Sequence, residues 1–213
     1  MKITIIFDNC LDERGLRTSW VFSSLIEVGN APPLLSDAGA DGATLLYNMK
    51  ELGIDPKRIG KIVISHGHGD HIGGLFDLLE INKHAEIYVP ASVVTKLPGR
   101  KVIMVSQSLQ ISEDIFSTGE LQGIEQSLAI KTGKGILVVA GCSHPGVGAI
   151  LAAASCHGKV YWIIGGLHGF HDFDRLDGLS LICPCHCTQY KSELSSLFPK
   201  QYVACGAGLE LEL

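Results

Sequence analysis

Ile62-Val63-Ile64-Ser65-His66-Gly67-His68-Gly69-Asp70-His71-Ile72-Gly73-Gly74-Leu75 is the most informative run in this chain. Three histidines and one aspartate fall within six residues at the end of a β-branched segment, with glycines between them. Imidazole nitrogens and carboxylate oxygens are the donors that zinc and similar borderline cations take. The glycines let the backbone fold the four side chains toward one point. A single histidine in a polar loop is ordinarily just solvated, but packing gives no reason for four ligand-type residues at this spacing. The run therefore reads as a metal-binding loop at a strand end, followed by an apolar helix.

Working outward, 213 residues are enough to bury a sizeable core. Hydrophobic residues make up 46% and charged residues 18%, and 25 glycines suit buried strands joined by tight turns. A net charge of −5 without a dense Lys/Arg run argues against nucleic acid as a partner. No apolar run approaches the roughly 20 residues of a membrane helix. The N-terminal apolar run is too short for a secretory signal and reads as a first strand. Seven cysteines in irregular positions fit a reduced protein better than a disulfide scaffold. The expectation is a cytoplasmic enzyme formed by residues 1–213 as a single domain.

Taken in order, strands are predicted over 2–7, 20–28 and 33–36, with a polar loop over 9–19 that includes Asp12, Glu13, Arg14 and Arg17. A helix over 41–52 puts Leu45, Met49 and Leu52 on one face and stops at Gly53. The 62–64 strand leads into the histidine loop and a helix bearing Leu75, Leu78 and Leu79. Strands follow near 85–89, 101–105 and within 108–130, where Gly119 and Gly123 interrupt them. A strongly apolar strand over 135–140 runs into Gly141-Cys142-Ser143-His144-Pro145-Gly146 and a helix. Another over 160–164 runs into Gly165-Gly166-Leu167-His168, and a third over 179–182 into Cys183-Pro184-Cys185-His186-Cys187-Thr188. Thr188 could cap the helix marked by Tyr190, Leu194 and Leu197, and two short strands close the chain. One arrangement repeats: strand, short loop with a histidine, helix. Strand-end loops are where α/β folds gather functional residues. His84, His157 and His171 sit in polar surroundings and read as solvated.

His66-x-His68-x-Asp70-His71 resembles the metal-binding signature of the metallo-β-lactamase superfamily. The resemblance implies an α/β fold, the four-layer αββα sandwich with metals at one rim, its two halves meeting near residue 115. It implies a ligand set of His66, His68, Asp70 and His71 with two distant histidines, of which His144 and His186 are the choice here. His168 is then a group near the metals that protonates the leaving group, or a further ligand. Zn²⁺ is the expected cation, one or two per chain, with Mn²⁺ and Fe²⁺ also suited to such donors. Asp37-Ala38-Gly39 resembles the superfamily turn beneath the metal loop, which implies that Asp37 orients the ligands; an ordinary Asx turn is the plainer alternative. A bridging aspartate is not evident. Cys142 could stand in as a ligand, although a small packing residue is the simpler expectation, as it is for the Cys183-x-Cys185-x-Cys187 alternation.

The later motifs, Gly141 to Gly146, Gly165 to His168 and Pro184 to Thr188, resemble one branch of the superfamily. That branch is named for the dihydropterin–ribofuranosylaminobenzene-phosphate synthase and includes metal-dependent hydrolases. The resemblance implies a small-molecule substrate, phosphorylated in the synthase case. Two activities follow from it. One is a hydrolase acting on a phosphoester or acyl-type substrate, with Asp70 orienting the attacking water. The other is a transferase joining a dihydropterin pyrophosphate to a ribofuranosylaminobenzene phosphate. Set against the resemblance, the segment between 75 and 120 is expected to be shorter than in that branch, and Gly69 stands where the branch commonly has a larger residue.

Overall fold

The computed structural model describes residues 1–13, 15–93 and 97–213; Arg14 of the expected polar loop lies outside the described residues. The chain forms two compact units, Met1–Met104 with Cys205–Leu213, and Val105–Ala204. Its elements begin with strands β1 (Lys2–Phe7), β2 (Ser23–Glu27) and β3 (Leu34–Ser36), then helix α1 (Gly42–Glu51) and strand β4 (Lys61–Val63). Helices α2 (Gly69–Ile72) and α3 (Leu75–Ile81) precede β5 (Glu86–Pro90) and β6 (Val102–Val105). Next come β7 (Leu109–Ser112), β8 (Ile115–Ser117), β9 (Leu128–Thr132), β10 (Gly135–Ala140) and α4 (Val147–Ser155). The chain ends with β11 (Val160–Gly166), β12 (Leu181–Cys185), α5 (Lys191–Leu197) and β13 (Glu210–Glu212).

In the first unit the sheet order is β13-β1-β2-β3-β4-β5-β6, with β3, β4 and β5 parallel. β1 is buried almost throughout: Ile3, Ile5, Ile6 and Phe7 are fully enclosed, which explains an apolar run interrupted only by the buried Thr4 in place of a regular alternation. The core joins Leu35, Ile62, Ile64 and Ile87 of the sheet side to Leu45 and Met49 of α1 and Leu75, Leu78 and Leu79 of α3. These helix residues are the apolar faces expected from their spacing. The Asp41 carboxylate caps α1 by accepting from the Thr44 amide at 2.7 Å.

In the second unit the order is β12-β11-β10-β9-β8-β7. β10, β11 and β12 are parallel, and α4 is the crossover between the first two. Val138, Ala140, Ile163 and Ile182 pack with Val147, Ile150 and Ala154 of α4 and Leu194 beyond them. Because these three strands are parallel, the loops bearing His144, His168 and His186 leave from the same edge of the sheet.

Several expectations change. The second strand starts at Ser23, and Trp20 is exposed. The division falls after Met104 rather than near 115, because β7 and β8 are hydrogen-bonded into the second sheet through β9. The C-terminal segment yields one strand and isolated bridges at Tyr202 and Ala207. Thr188 does not cap α5: its Oγ1 donates to the Cys185 carbonyl at 2.8 Å and accepts from the Leu167 amide at 2.9 Å, tying the ends of β11 and β12 together.

Candidate metal centre

β4 delivers the chain to Ile64-Ser65, and the histidine loop begins at once. His68 is the residue before α2, which places Asp70 and His71 in a single helical turn. The sequence suggested a loop here; the short helix is what brings the last two donors round to the first two. His66 and His71 are buried, Asp70 half-buried and His68 exposed. The rings of His66 and His68 lie 4.5 Å apart and those of His66 and His71 4.2 Å apart. His66 Nε2 faces His68 Nδ1 at 3.1 Å, and His71 Nε2 lies 3.9 Å from Asp70 Oδ2. His66 thus has both His68 and His71 as neighbours, and Asp70 lies beside His71.

Beneath them sits Asp37, fully buried and held in a left-handed conformation at φ 59°. Its Oδ1 accepts from the Ser65 amide at 2.7 Å, and its Oδ2 accepts from Ser65 Oγ and from His71 Nδ1, each at 2.7 Å. Counting protons fixes the tautomers. The Ser65 hydroxyl gives its one proton to Asp37, so the 2.9 Å contact between Ser65 Oγ and His66 Nδ1 must be donated by the histidine. His71 Nδ1 likewise donates to a carboxylate. As neutral imidazoles both rings therefore carry their proton on Nδ1 and leave Nε2 as the lone-pair nitrogen, the state a metal ligand needs. The donor set and its protonation fit a divalent cation.

The glycine pair after the motif has a structural reason. Ala38 N donates to His71 O at 2.7 Å and Gly74 N to Gly39 O at 3.1 Å. A Cβ at Gly73 would fall 2.1 Å from the Ala40 carbonyl oxygen, and one at Gly74 2.3 Å from that of Ala38. Only glycine lets α2 and α3 sit this close to the Asp37 turn.

In the second unit, Glu125 does for the His144 loop what Asp37 does for the first. It is fully buried; Oε1 accepts from the amides of Gly141, Cys142 and Ser143 at 3.1, 3.0 and 3.0 Å, and Oε2 from His144 at 2.9 Å. Ser143, at φ 63°, donates through Oγ to Gly166 O at 2.7 Å. His168 and His186 also have positive φ, 44° and 43°, a strained conformation for histidine that clusters at functional loops. The rings of His144 and His168 are 5.1 Å apart. A cleft of about 300 Å³ is lined by Ser143, His144, His168, Phe170, His171 and Asp172, and His171 is exposed there, as expected. His157 is not simply solvated: it stacks on Phe116 at 4.2 Å, and burial, with Lys131 beside it, lowers its pKa.

His186 lies with Cys142 and Cys187, their ligand atoms all within 4.8 Å of one another and all three residues buried. The Cys187 thiol is pulled down to about 6, first by its hydrogen bond with Cys142, with His168 adding and burial opposing. Sequence reading missed Glu125, whose partners are backbone amides without a residue signature. Cys187, expected to be a packing residue, is buried, and the left-handed turn at His186 interrupts the expected strand-like alternation.

The family model described as metallo-beta-lactamase superfamily matches residues 21–167. A 7,8-dihydropterin-6-methyl-4-(beta-D-ribofuranosyl)-aminobenzene-5'-phosphate synthase of Methanocaldococcus jannaschii is 30% identical over 240 residues, covering 80% of this chain and 81% of that protein. The crystal structure of a metal-dependent hydrolase of the beta-lactamase superfamily has a TM-score of 0.75 at 22% identity, covering 100% of this chain and 99% of that one. Zn(2+)-bound PqqB from Methylobacterium extorquens has a TM-score of 0.62 at 14% identity, covering 100% of both chains. The expected α/β class, the αββα metallo-β-lactamase sandwich, holds on these likenesses, and this chain belongs to the metallo-β-lactamase superfamily.

Proposed function

We propose that this chain is a cytoplasmic metal-dependent hydrolase acting on a small phosphoester or acyl-type substrate, with residues 1–213 working as one catalytic domain. The observation that carries this is the convergence of His66, His68, Asp70 and His71 above a buried carboxylate that sets the tautomer of the ring it touches. His66 and His68, with His144, would hold one cation; Asp70 and His71, with His186, a second. Zn²⁺ suits these nitrogen and oxygen donors, as Mn²⁺ and Fe²⁺ also can. A bound divalent cation supplies Lewis acidity to the reacting phosphoryl or carbonyl oxygen and acidifies water. Asp70 orients the attacking water, and its carboxylate is half-exposed enough for substrate to reach it. His168, in the cleft wall beside His144, is the group that protonates the leaving oxygen.

The 30% identity to the synthase favours a second reading, a transferase in which a dihydropterin pyrophosphate loses pyrophosphate as the amine nitrogen of the aminobenzene attacks and gives up a proton. The same donors then serve the leaving pyrophosphate, and no water attacks. One experiment separates the two. Metal-loaded protein of measured metal content is offered a dihydropterin pyrophosphate with a ribofuranosylaminobenzene phosphate, and in a second arm a phosphodiester and a lactone. Turnover only in the second arm supports the hydrolase. Pyrophosphate release that requires the aminobenzene substrate replaces it with the transferase.

A further inference from the structure

Two cysteines stand where the mechanism above does not use them. Cys142 and Cys187 lie on different loops, 3% and 4% exposed, with the His186 ring between the same limits of distance. In a tetrahedral centre with metal–sulfur bonds near 2.3 Å and metal–nitrogen bonds near 2.0 Å, donor atoms sit about 3.5–4 Å apart. The three ligand atoms here, all within 4.8 Å of one another, need only a small inward movement to reach that spacing.

Backbone contacts hold both cysteine-bearing turns in place. The Cys142 amide donates to Glu125 Oε1, in the run of four amides that carboxylate gathers. In β12, Cys183 and Cys185 follow strand alternation, with their sulfurs 4.0 Å apart. The left-handed His186 breaks that alternation, so Cys187 leaves the strand in a new direction. Thr188, bonded to Cys185 O and Leu167 N, anchors the far side of the turn. Gly166 completes the arrangement: a Cβ there would come 2.6 Å from Cys187 Sγ.

We propose that Cys142 and Cys187 are thiolate ligands beside His186, so that this part of the centre is a mixed imidazole–thiolate site. Thiolates favour zinc-class cations over Mn²⁺, which prefers oxygen donors. The inference rests on the metal-centre reading above and narrows its cation. Binding releases to solvent whatever protons the two thiols still carry.

Cobalt(II) is the probe, titrated into the full chain with bound cobalt quantified. Thiolate ligation adds a sulfur-to-cobalt charge-transfer band in the near ultraviolet, a readout independent of turnover. The band is expected in the unmodified protein, to fall by roughly half in Cys142→Ser and in Cys187→Ser, and to vanish in the double variant. Cys156→Ser, at an exposed cysteine, should leave it unchanged. Cobalt bound without the band, or a band that survives the double variant, overturns the thiolate ligands while leaving the histidine centre standing. Failure to bind any cobalt overturns both. Should the serine variants not fold, zinc X-ray absorption on the unmodified chain asks the same question: sulfur neighbours near about 2.3 Å support the site, and a shell of nitrogen and oxygen alone overturns it.

Discussion

The Asp37 carboxylate and the His71 ring meet at 2.7 Å, both fully buried, and the contact fixes which nitrogen of His71 faces Asp70. A ligand histidine whose rear nitrogen is held by a carboxylate is oriented before the cation arrives and made more basic. Asp37→Asn keeps the size of the side chain but loses the charge and one acceptor. It is expected to lower zinc affinity by roughly 10–100-fold, read by competition with a chromophoric chelator. An unchanged affinity would mean that Asp37 only shapes the turn.

Glu125 makes a different kind of support, because its four partners are backbone amides of one loop. Glu125→Ala strips all four of a buried acceptor. Hydrogen bonds to a charged group are worth about 1.5–3 kcal/mol each, and a buried amide left unsatisfied costs about as much. A loss of roughly 3 kcal/mol or more in urea unfolding is expected, with Glu125→Gln in between. The His144 loop should also lose amide protection in hydrogen exchange ahead of the β10 core.

How much of this could be seen in the sequence depends on who the partners are. The Asp37 role was legible because Asp37-Ala38-Gly39 and the His66–His71 spacing are side-chain patterns. α1 was legible for the same reason, through Leu45, Met49 and Leu52 on one face and the stop at Gly53, while its Asp41 cap emerged only from the structure. Glu125 was not, since it sits in a stretch without periodicity and binds main chain 16–19 residues downstream. Thr188 misled because a threonine before a helix reads as a cap, while here a gap between two strand ends claimed its hydroxyl. The short α2 was hidden by the same glycines that suggested a flexible loop.

Removal of metal should separate function from folding. The core of the first unit is built from residues such as Leu35, Ile62, Leu45 and Met49, and that of the second from Val138, Ile150 and Ile163. None of these is a donor. Chelation is therefore expected to abolish turnover while far-ultraviolet circular dichroism stays at the level of the loaded protein. His66→Ala and His71→Ala should behave in the same way. Collapse of the dichroism signal on chelation would make the cation a folding element instead.

Glu86 gives the chain a term in acid stability that can be predicted with its sign. Lys101 holds its carboxylate down to about 2, with Tyr88 next, burial opposing and Lys61 adding. Burial, with the hydrogen bond to Glu86 adding, pushes the Tyr88 hydroxyl up to about 12. Since the folded carboxyl titrates below its usual 4.5, the fold prefers the charged form. Its contribution is present above the unfolded value and drains away as pH falls from about 4.5 toward 2. Glu86→Gln removes that contribution, so the variant should be less stable than the parent at about pH 7 and closer to it at about pH 3. The effect should shrink in high salt, because the carboxylate and its lysines are partly exposed. Urea midpoints for both proteins at the two pH values decide it: a gap that stays constant would mean that Glu86 contributes by packing and not by charge.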